Sequence, residues 1–149
     1  MTFKLQVYNK CRSILDEKIS LLTNLLSDLT KSIEGESKSS AGDKHETSRA
    51  MMQIEYVKIS RQLSEAVSQQ AILNKIDCNI KSPKITSGSL IKTQKGFLFI
   101  CIALGKINVD AMEVIALSPQ SPLGNKLIGL KAADAVSVNG TNYTIESIE

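Results

Sequence analysis

The side chains whose spacing most suggests chemistry are two acids, Asp43 and Glu46, in a polar stretch of the N-terminal half. Residues three apart on a helix share one face, so both carboxylates can lie together in a first helical turn. Mg²⁺ is commonly held by one or two protein carboxylates, with water or phosphate oxygens completing its coordination. Two carboxylates alone bind such an ion weakly, so a metal at this position would have to be shared with another macromolecule.

A purely structural role for the same pair is a helix cap. Asp43 would be the N-cap and Glu46 the residue at N3, a capping-box variant that the helix dipole favours. His45, the only histidine, lies between the two acids and is expected to be a solvated first-turn side chain rather than a metal ligand. Both roles of the acids remain open at this point.

Two apolar seams with heptad spacing flank the acids and predict the elements that position them. The seams consist of Leu15, Ile19, Leu22, Leu26, Leu29 and Ile33, and of Met52, Tyr56, Ile59, Leu63, Ala66, Gln70 and Leu73. Pairing them in opposite directions, as Ile33 with Met52, keeps the sum of partner numbers at 85. This predicts an antiparallel hairpin that reverses between Gly42 and Asp43, although a slip of one heptad would preserve the pattern. The seams alone fit a structural or dimerising coiled coil equally well.

Composition changes near residue 80, where a helical half gives way to a half rich in strands and turns. All three prolines and six of the eight glycines follow that point. Asn139-Gly140 predicts a two-residue hairpin turn, and Ser121-Pro122 predicts the start of a short helix at 122–128. Strand-like runs occupy 89–93, 97–103, 112–117, 135–138 and 143–145.

These patterns together predict an α+β protein. An antiparallel α-helical coiled-coil hairpin would occupy residues 1–78, with an acidic tip near 42–46. A linker over 79–87 would lead to a small antiparallel β-sheet domain with one short helix over 88–149.

Charge, cysteine and hydropathy patterns exclude several classes of protein. Eighteen basic and fifteen acidic residues are mixed without a basic run, which argues against a dedicated nucleic-acid binder. Cys11, Cys78 and Cys101 form no CxxC motif, which indicates a reducing cytoplasm and buried or unreactive thiols. Neither a signal peptide nor a membrane-spanning helix is expected. A cysteine-nucleophile acyl transferase is excluded because the lone histidine lies on the tip and few residues remain for a substrate tunnel.

The segment 118–134 resembles the C-terminal motif of bacterial Gre-type transcript-cleavage factors. That motif begins with serine-proline and continues into a short helix. The helix ends in leucine, followed by leucine or isoleucine and then by glycine and lysine. A glycine-aspartate pair comes next, before the last hairpin. Gly88-Ser89 matches the glycine-serine that opens the family's C-terminal sheet, and 42–46 matches its glycine-aspartate-x-x-glutamate tip. The motif positions in this chain are Ser121, Pro122, Leu123, Gly124, Gly129, Lys131 and Asp134.

One position and one four-residue segment depart from the family pattern. Ala133 stands where the family has the glycine of glycine-aspartate, a change expected to concern only a turn. Residues 47–50 read Thr-Ser-Arg-Ala, where the family usually has asparagine-alanine-glutamate-tyrosine.

The resemblance implies a function carried out on RNA polymerase. An FKBP-like C-terminal domain would dock through the motif positions at the rim of the secondary channel, and the coiled coil would enter that channel. Asp43 and Glu46 would help hold the second Mg²⁺ of the polymerase active centre, so that backtracked RNA is cleaved.

On this view the factor has no cofactor of its own beyond the shared Mg²⁺, and it is a co-catalyst rather than an enzyme. RNA polymerase and nascent RNA are the expected partners, with no membrane and no small-molecule substrate, and the protein would be a cytoplasmic monomer. An alternative is a Gre-like channel regulator that inhibits or reprogrammes the polymerase without cleavage.

Overall fold

Two long helices come first along the chain. The computed structural model describes residues 2–37 and 43–149, with α1 at Phe3–Ser37 and α2 at Asp43–Asn74. At about 1.5 Å rise per residue, each helix is roughly 50 Å long. Neither helix contains proline, and Gly35 is the single glycine in their sequences, so nothing in either sequence forces an interruption.

The heptad seams form the buried stripe of the hairpin, as the sequence predicts. Within 14–70, the buried seam members are Leu15, Leu22, Ile59 and Ala66, and the remaining ones are half-buried except Tyr56, which is 39% exposed. Gln70 Nε2 donates a hydrogen bond to Asp16 Oδ1 across the two helices at 2.9 Å. The predicted partner of Gln70 is the adjacent Leu15, so the antiparallel register holds to within one residue. The connection over 38–42, where the reversal is predicted, lies outside the described residues.

Six strands and one short helix follow α2 and confirm the α+β class. Their bounds are β1 Leu90–Thr93, β2 Gly96–Ile100, β3 Gly105–Val109, β4 Met112–Leu117, α3 Pro122–Leu127, β5 Ala135–Val138 and β6 Thr141–Ile148. The strands form one sheet in the order β3-β4-β2-β1-β6-β5. Its core consists of Ile85, Ile91, Leu98, Ile100, Leu117, Leu127, Ile145 and Ile148.

The sheet is mixed, which corrects the prediction of antiparallel pairing throughout. β2 and β4 pair in parallel, from Phe97 with Val114 to Ile100 with Leu117. The reason is β3, a strand that the sequence patterns do not reveal. After β2 the chain crosses to the sheet edge through 101–104 and forms β3, and β4 then returns antiparallel to β3 in the gap beside β2.

Two of the tight hairpin turns differ in how readily their sequences disclose them. Asn139 and Gly140 have φ of 51° and 78°, and β5 and β6 pair on either side, which confirms the predicted turn. Asp110 and Ala111, between β3 and β4, also have positive φ, at 51° and 63°. An alanine at such a position carries no turn signal, because left-handed backbone normally selects glycine or asparagine.

The chain divides into two compact units that do not coincide with the helix ends. The hairpin unit is Ile14–Gln70, and the sheet unit combines the chain up to Ser13 with Ala71–Glu149. Within the latter unit, Ile85 exchanges backbone hydrogen bonds with Gly129 and Leu130 and is fully buried in the sheet core. The segment 79–87, predicted as a linker, therefore supplies a residue of the sheet core. The domain boundaries at residues 78 and 88 stay a prediction.

Candidate functional site

The first turn of α2 contains both acids of the predicted site. α2 begins at Asp43, so Asp43 and Glu46 are its first and fourth residues. At this spacing two helical residues have Cβ atoms about 5–6 Å apart. The side chain of Glu46 is exposed. The side chains of Asp43 and His45, and with them the separation of the two carboxylates, lie outside what the structure describes.

The two carboxylates at this turn suit a hard cation whose other ligands are water or the oxygens of another molecule. Carboxylate oxygens are the ligands Mg²⁺ prefers, and the ion commonly keeps water or phosphate oxygens for the rest of its coordination. Within the described residues, no group of three or more His, Cys, Asp or Glu side chains is arranged to hold a metal. The sharing of a metal between these two acids and another macromolecule stays a prediction.

The predicted docking residues come together on α3 and the turn that follows it. Ser121 is the N-cap of α3: its Oγ accepts a hydrogen bond from the Gly124 N–H at 3.0 Å and donates one to the Ser118 carbonyl at 2.7 Å. Pro122 occupies the first helical turn, where a missing N–H costs nothing. Leu123 is half-buried and packs against the sheet core.

Gly124 is required by close packing rather than by an unusual backbone conformation. A Cβ at this position would lie 2.1 Å from the Ser118 carbonyl oxygen and 3.0 Å from Pro119 Cα. Both are backbone atoms, which cannot swing aside as a flexible side chain can. The glycine of the motif therefore has a structural reason that needs no partner protein.

The second part of the motif is a turn held by Asp134. Its Oδ2 accepts a hydrogen bond from the Lys131 N–H at 2.8 Å, and its carbonyl accepts one from Ile145 N on β6 at 2.9 Å. Gly129, just after α3, has φ of 87°. Pro122, Lys131 and Asp134 are exposed, so they are the motif positions that a partner could contact.

Ala133 lies in left-handed backbone, with φ of 77°, where the resembled family has glycine. The expectation that this departure concerns a turn is consistent with that geometry. A non-glycine residue there carries a strain of about 1 kcal/mol, because Cβ crowds the backbone. We therefore expect Ala133→Gly to raise the free energy of unfolding by up to about 1 kcal/mol, measured by urea unfolding. Ala132→Gly, one residue earlier and without a positive φ, is the matched control and should not stabilise the protein.

Comparison with known proteins gives a likeness to solved structures but none to a family model. No family model matches the chain, and no curated protein is significantly similar to it in sequence. Among solved structures, the chain is similar to that of the transcription factor Gfh1, with 16% identity over 93% of each chain and a TM-score of 0.38. A likeness at this level carries no argument about activity, which has to come from the residues of this chain.

No helix within residues 2–37 and 43–149 is both long enough and apolar enough to cross a membrane.

Some features of the sheet unit had no signal in the sequence. Phe3 on α1 and Phe97 on β2 are in contact, with ring centroids 4.9 Å apart and ring planes tilted by 55°. They lie beside an open groove of about 450 Å³ that Lys92, Met112 and Glu149 also line. The two rings come from segments far apart along the chain. No spacing rule connects such positions, so only the tertiary structure brings them together.

Lys4 is a buried lysine that the sequence interpretation overlooked. It is 6% exposed, and its Nζ donates a hydrogen bond to the Ile80 carbonyl at 2.9 Å. Burial lowers the pKa of Lys4 below its ordinary value of 10.5, although negative charge at Cys78 and Glu149 opposes the effect. Its acceptor, the Ile80 carbonyl, lies 76 residues further along the chain, and no local pattern connects the two positions.

The lowered pKa of Lys4 predicts a pH dependence of stability. The folded protein releases this proton at a lower pH than the unfolded chain, so between the two pKa values the unfolded chain binds more protons. The free energy of unfolding should therefore rise as the pH approaches 10.5 from below, and Lys4→Met should remove that rise. Urea unfolding of both proteins across this range tests the prediction, and a difference that does not vary with pH would contradict it.

Proposed function

We propose that this chain is a Gre-like factor that binds RNA polymerase and stimulates Mg²⁺-dependent cleavage of backtracked RNA. The observation that carries the proposal is the position of Asp43 and Glu46 in the first turn of the second helix of an antiparallel hairpin. The mirrored seams predict the reversal between Gly42 and Asp43, which would put both carboxylates at the end of the hairpin. The motif over 118–134 supports the same family resemblance from an independent part of the chain.

In the proposed reaction the factor itself would supply only two carboxylates. In two-metal phosphoryl chemistry, one ion activates the attacking water and the other stabilises the leaving oxygen. The polymerase would hold both ions, the second one weakly, and the two carboxylates would complete its coordination and orient water against the RNA backbone. The factor is then a co-catalyst whose contribution ends when it leaves the channel.

The polymerase-facing surface of the sheet unit is proposed to include the exposed motif positions. Pro122, Lys131 and Asp134 present a rigid ring and two opposite charges to solvent. Their geometry is held by the Ser121 cap and by the Asp134 turn, so the surface is preorganised and loses little entropy on binding. The protein is proposed to act as a monomer.

The test is a cleavage assay on a stalled elongation complex with purified RNA polymerase and transcript labelled at its 5′ end. The proposed factor shortens the labelled RNA from its 3′ end in the presence of Mg²⁺, and the shortened RNA extends again when nucleotides are added. Polymerase without the factor is the baseline for intrinsic cleavage. Unchanged RNA length, with the factor shown to be bound, would reject the cleavage function.

A second candidate function, favoured by the residues around the acids, is a regulator that occupies the channel without cleavage. Arg49 follows Glu46 by three residues on α2 and is exposed, and Lys44 lies between the acids in sequence. Basic neighbours on the same turn can pair with the carboxylates and reduce their attraction for a cation. This function predicts slower nucleotide addition or altered promoter output in the same assay, with no shortening of RNA.

A third candidate, a structural coiled-coil dimer, is favoured by apolar side chains outside the seams. Leu21 is 60% exposed and Ile54 is 70% exposed on the hairpin unit. Large exposed aliphatic residues are frequent at protein interfaces. A stable dimer in sedimentation, together with failure to co-purify with RNA polymerase, would favour this function over both others.

A further inference from the structure

Lys4 and the segment 75–89 line a small cavity in the sheet unit that the proposed function does not use. The cavity has a volume of about 280 Å³, and its wall combines lysine side chains with several hydroxyl groups. The lining residues that matter for its chemistry are Lys4, Lys75, Asp77, Ser82, Thr86 and Ser89. All of them belong to the sheet unit, so the cavity lies within one compact body.

Lys4 brings a buried positive charge to this wall. The residue is 6% exposed, and its Nζ donates a hydrogen bond to the Ile80 carbonyl at 2.9 Å. An ammonium group has three N–H donors, so two are left for other acceptors. Within residues 2–37 and 43–149 no carboxylate is in ion-pair contact with Lys4, and Asp77 and Glu149 attract it only from a distance. Because buried charges are normally paired, this ammonium group is suited to an anionic ligand.

Hydroxyl groups and a second lysine add hydrogen-bond donors around the same cavity. Ser82 Oγ accepts a hydrogen bond from the Lys84 N–H at 3.3 Å, and Ser89 Oγ accepts one from the Thr86 N–H at 3.0 Å. Accepting uses a lone pair of the hydroxyl and not its proton, so both groups can still donate. Lys75 is exposed and adds a second ammonium group to the wall. Such a set of donors favours a charged ligand that accepts hydrogen bonds.

The hydroxyl side of the cavity is held in place by backbone hydrogen bonds. The Gly88 N–H donates to the Ile100 carbonyl at 2.6 Å, which fixes the turn 86–89 to the end of β2. The Ser89 N–H donates to the Thr86 carbonyl at 3.1 Å and closes the turn. Gly88 has φ of 94°, a left-handed conformation that suits the third residue of a tight turn. A site fixed in this way loses little entropy when a ligand binds.

The charge of the whole sheet unit favours the same class of ligand. The sheet unit contains eleven basic and six acidic side chains, whereas the hairpin unit contains seven basic and nine acidic ones. A surplus of positive charge attracts anions to the sheet unit. A divalent cation is the competing ligand, but among the described residues of the wall Asp77 is the one carboxylate, and two ammonium groups would repel a cation.

We propose that this cavity binds a small oxyanion of the phosphate class, with Lys4 and Lys75 supplying positive charge and Ser82 and Ser89 supplying hydroxyl donors. A phosphate group has several oxygens that accept hydrogen bonds in different directions, which matches donors from α1, from the chain just after α2 and from the segment 82–89. The site uses neither the acids of the first turn of α2 nor the motif positions around α3. It is therefore independent of the proposed activity on RNA polymerase.

The test titrates the full chain with inorganic phosphate by isothermal titration calorimetry, at constant pH and ionic strength. The expected result for the wild-type chain is saturable binding of one phosphate. The affinity should fall at least about tenfold in Lys4→Met, because a charge-assisted hydrogen bond is worth that factor in a binding constant. It should fall about threefold in Lys75→Glu, which replaces an attractive charge by a repulsive one at an exposed position.

Lys126→Met is the matched control for Lys4→Met. Lys126 Nζ also donates to a backbone carbonyl, that of Ser137 at 3.1 Å, but Lys126 does not line the cavity. This variant loses the same charge and the same kind of hydrogen bond, and it should bind phosphate as the wild-type chain does.

A second titration identifies the source of the phosphate group. Adenosine 5′-monophosphate is compared with inorganic phosphate under the same conditions. Tighter binding of inorganic phosphate supports the free anion as the ligand. Tighter binding of the nucleotide supports the same site with the phosphate end of a larger molecule as the ligand.

Circular dichroism verifies the helix content of each variant, because a substitution at the buried Lys4 can unfold the chain. In that case Lys75→Glu, at an exposed position, decides the outcome. The proposal is overturned if neither ligand shows saturable binding to the wild-type chain, or if folded Lys4→Met or Lys75→Glu binds as tightly as wild type. It is also overturned if Lys126→Met weakens binding as much as Lys75→Glu does.

Discussion

Replacing Asp43 and Glu46 together by alanine is expected to lower the rate of stimulated RNA cleavage by at least about tenfold, since even outer-shell partners of metal sites are worth 10–100-fold. Polymerase binding should be retained, because the proposed docking residues lie on α3 and the turn after it. The measurement is the rate of transcript shortening in a stalled complex at saturating factor, with binding followed separately.

Two further variants separate metal chemistry from helix capping. Asp43→Asn with Glu46→Gln keeps polar side chains of nearly the same size at both positions but removes both negative charges, so it should fold normally and still lose cleavage. Glu55→Ala with Glu65→Ala removes the same charge from exposed positions further along α2 and should cleave at the wild-type rate. If the amide variant cleaves as well as wild type, the carboxylates are not metal ligands and the proposed chemistry is wrong.

Gly124→Ala is expected to destabilise the fold by about 3 kcal/mol, near the upper end of the usual cost of overpacking. The added methyl group would lie 2.1 Å from the Ser118 carbonyl oxygen. Relieving that overlap must move the start of α3 away from the preceding loop. The hydrogen bonds that Ser121 makes to Ser118 and Gly124 would be lost with it. Urea unfolding measures the change as a lower midpoint with an unchanged slope.

Gly35→Ala is the matched control for this substitution. Gly35 lies within α1, and a Cβ there meets no atom within 4 Å. The same chemical change should stabilise the protein by about 0.5–1 kcal/mol, because alanine favours the helix. Opposite signs for the two variants would establish that close packing is the reason for Gly124. Equal stability of Gly124→Ala and wild type would contradict the close approach to Ser118.

Local periodicity was enough to predict the hairpin and its register. Seam residues such as Leu22 and Ile59 repeat every 3.5 residues on average, and burial against a partner is the only use of such a stripe in water. Because mirrored seams permit only registers that differ by whole heptads, the hydrogen bond between Asp16 and Gln70 falls within one residue of the predicted pairing. The same local logic found the Asn139-Gly140 turn and the Ser121 cap.

The sheet was predicted less completely, because its pairing depends on residues that are not neighbours in sequence. β3 is short, and its turn at Asp110-Ala111 lacks the residues that normally disclose a hairpin. Without β3, the strand patterns predict that β2 pairs antiparallel with the strand that follows it. The parallel pair of β2 and β4 follows only from the position of β3 at the sheet edge.

The candidate sites divide in the same way. The sequence by itself determined the helical hairpin, the place of Asp43 and Glu46 at the start of its second helix, and the cap of α3, since each depends on contacts within a few residues or on a strict repeat. Only the tertiary structure decided that Gly124 lies against Ser118, and that Lys4 is buried with its Nζ donating to the Ile80 carbonyl. Those contacts depend on the distance between separate segments of the chain. The residue types and spacing within one segment do not determine that distance.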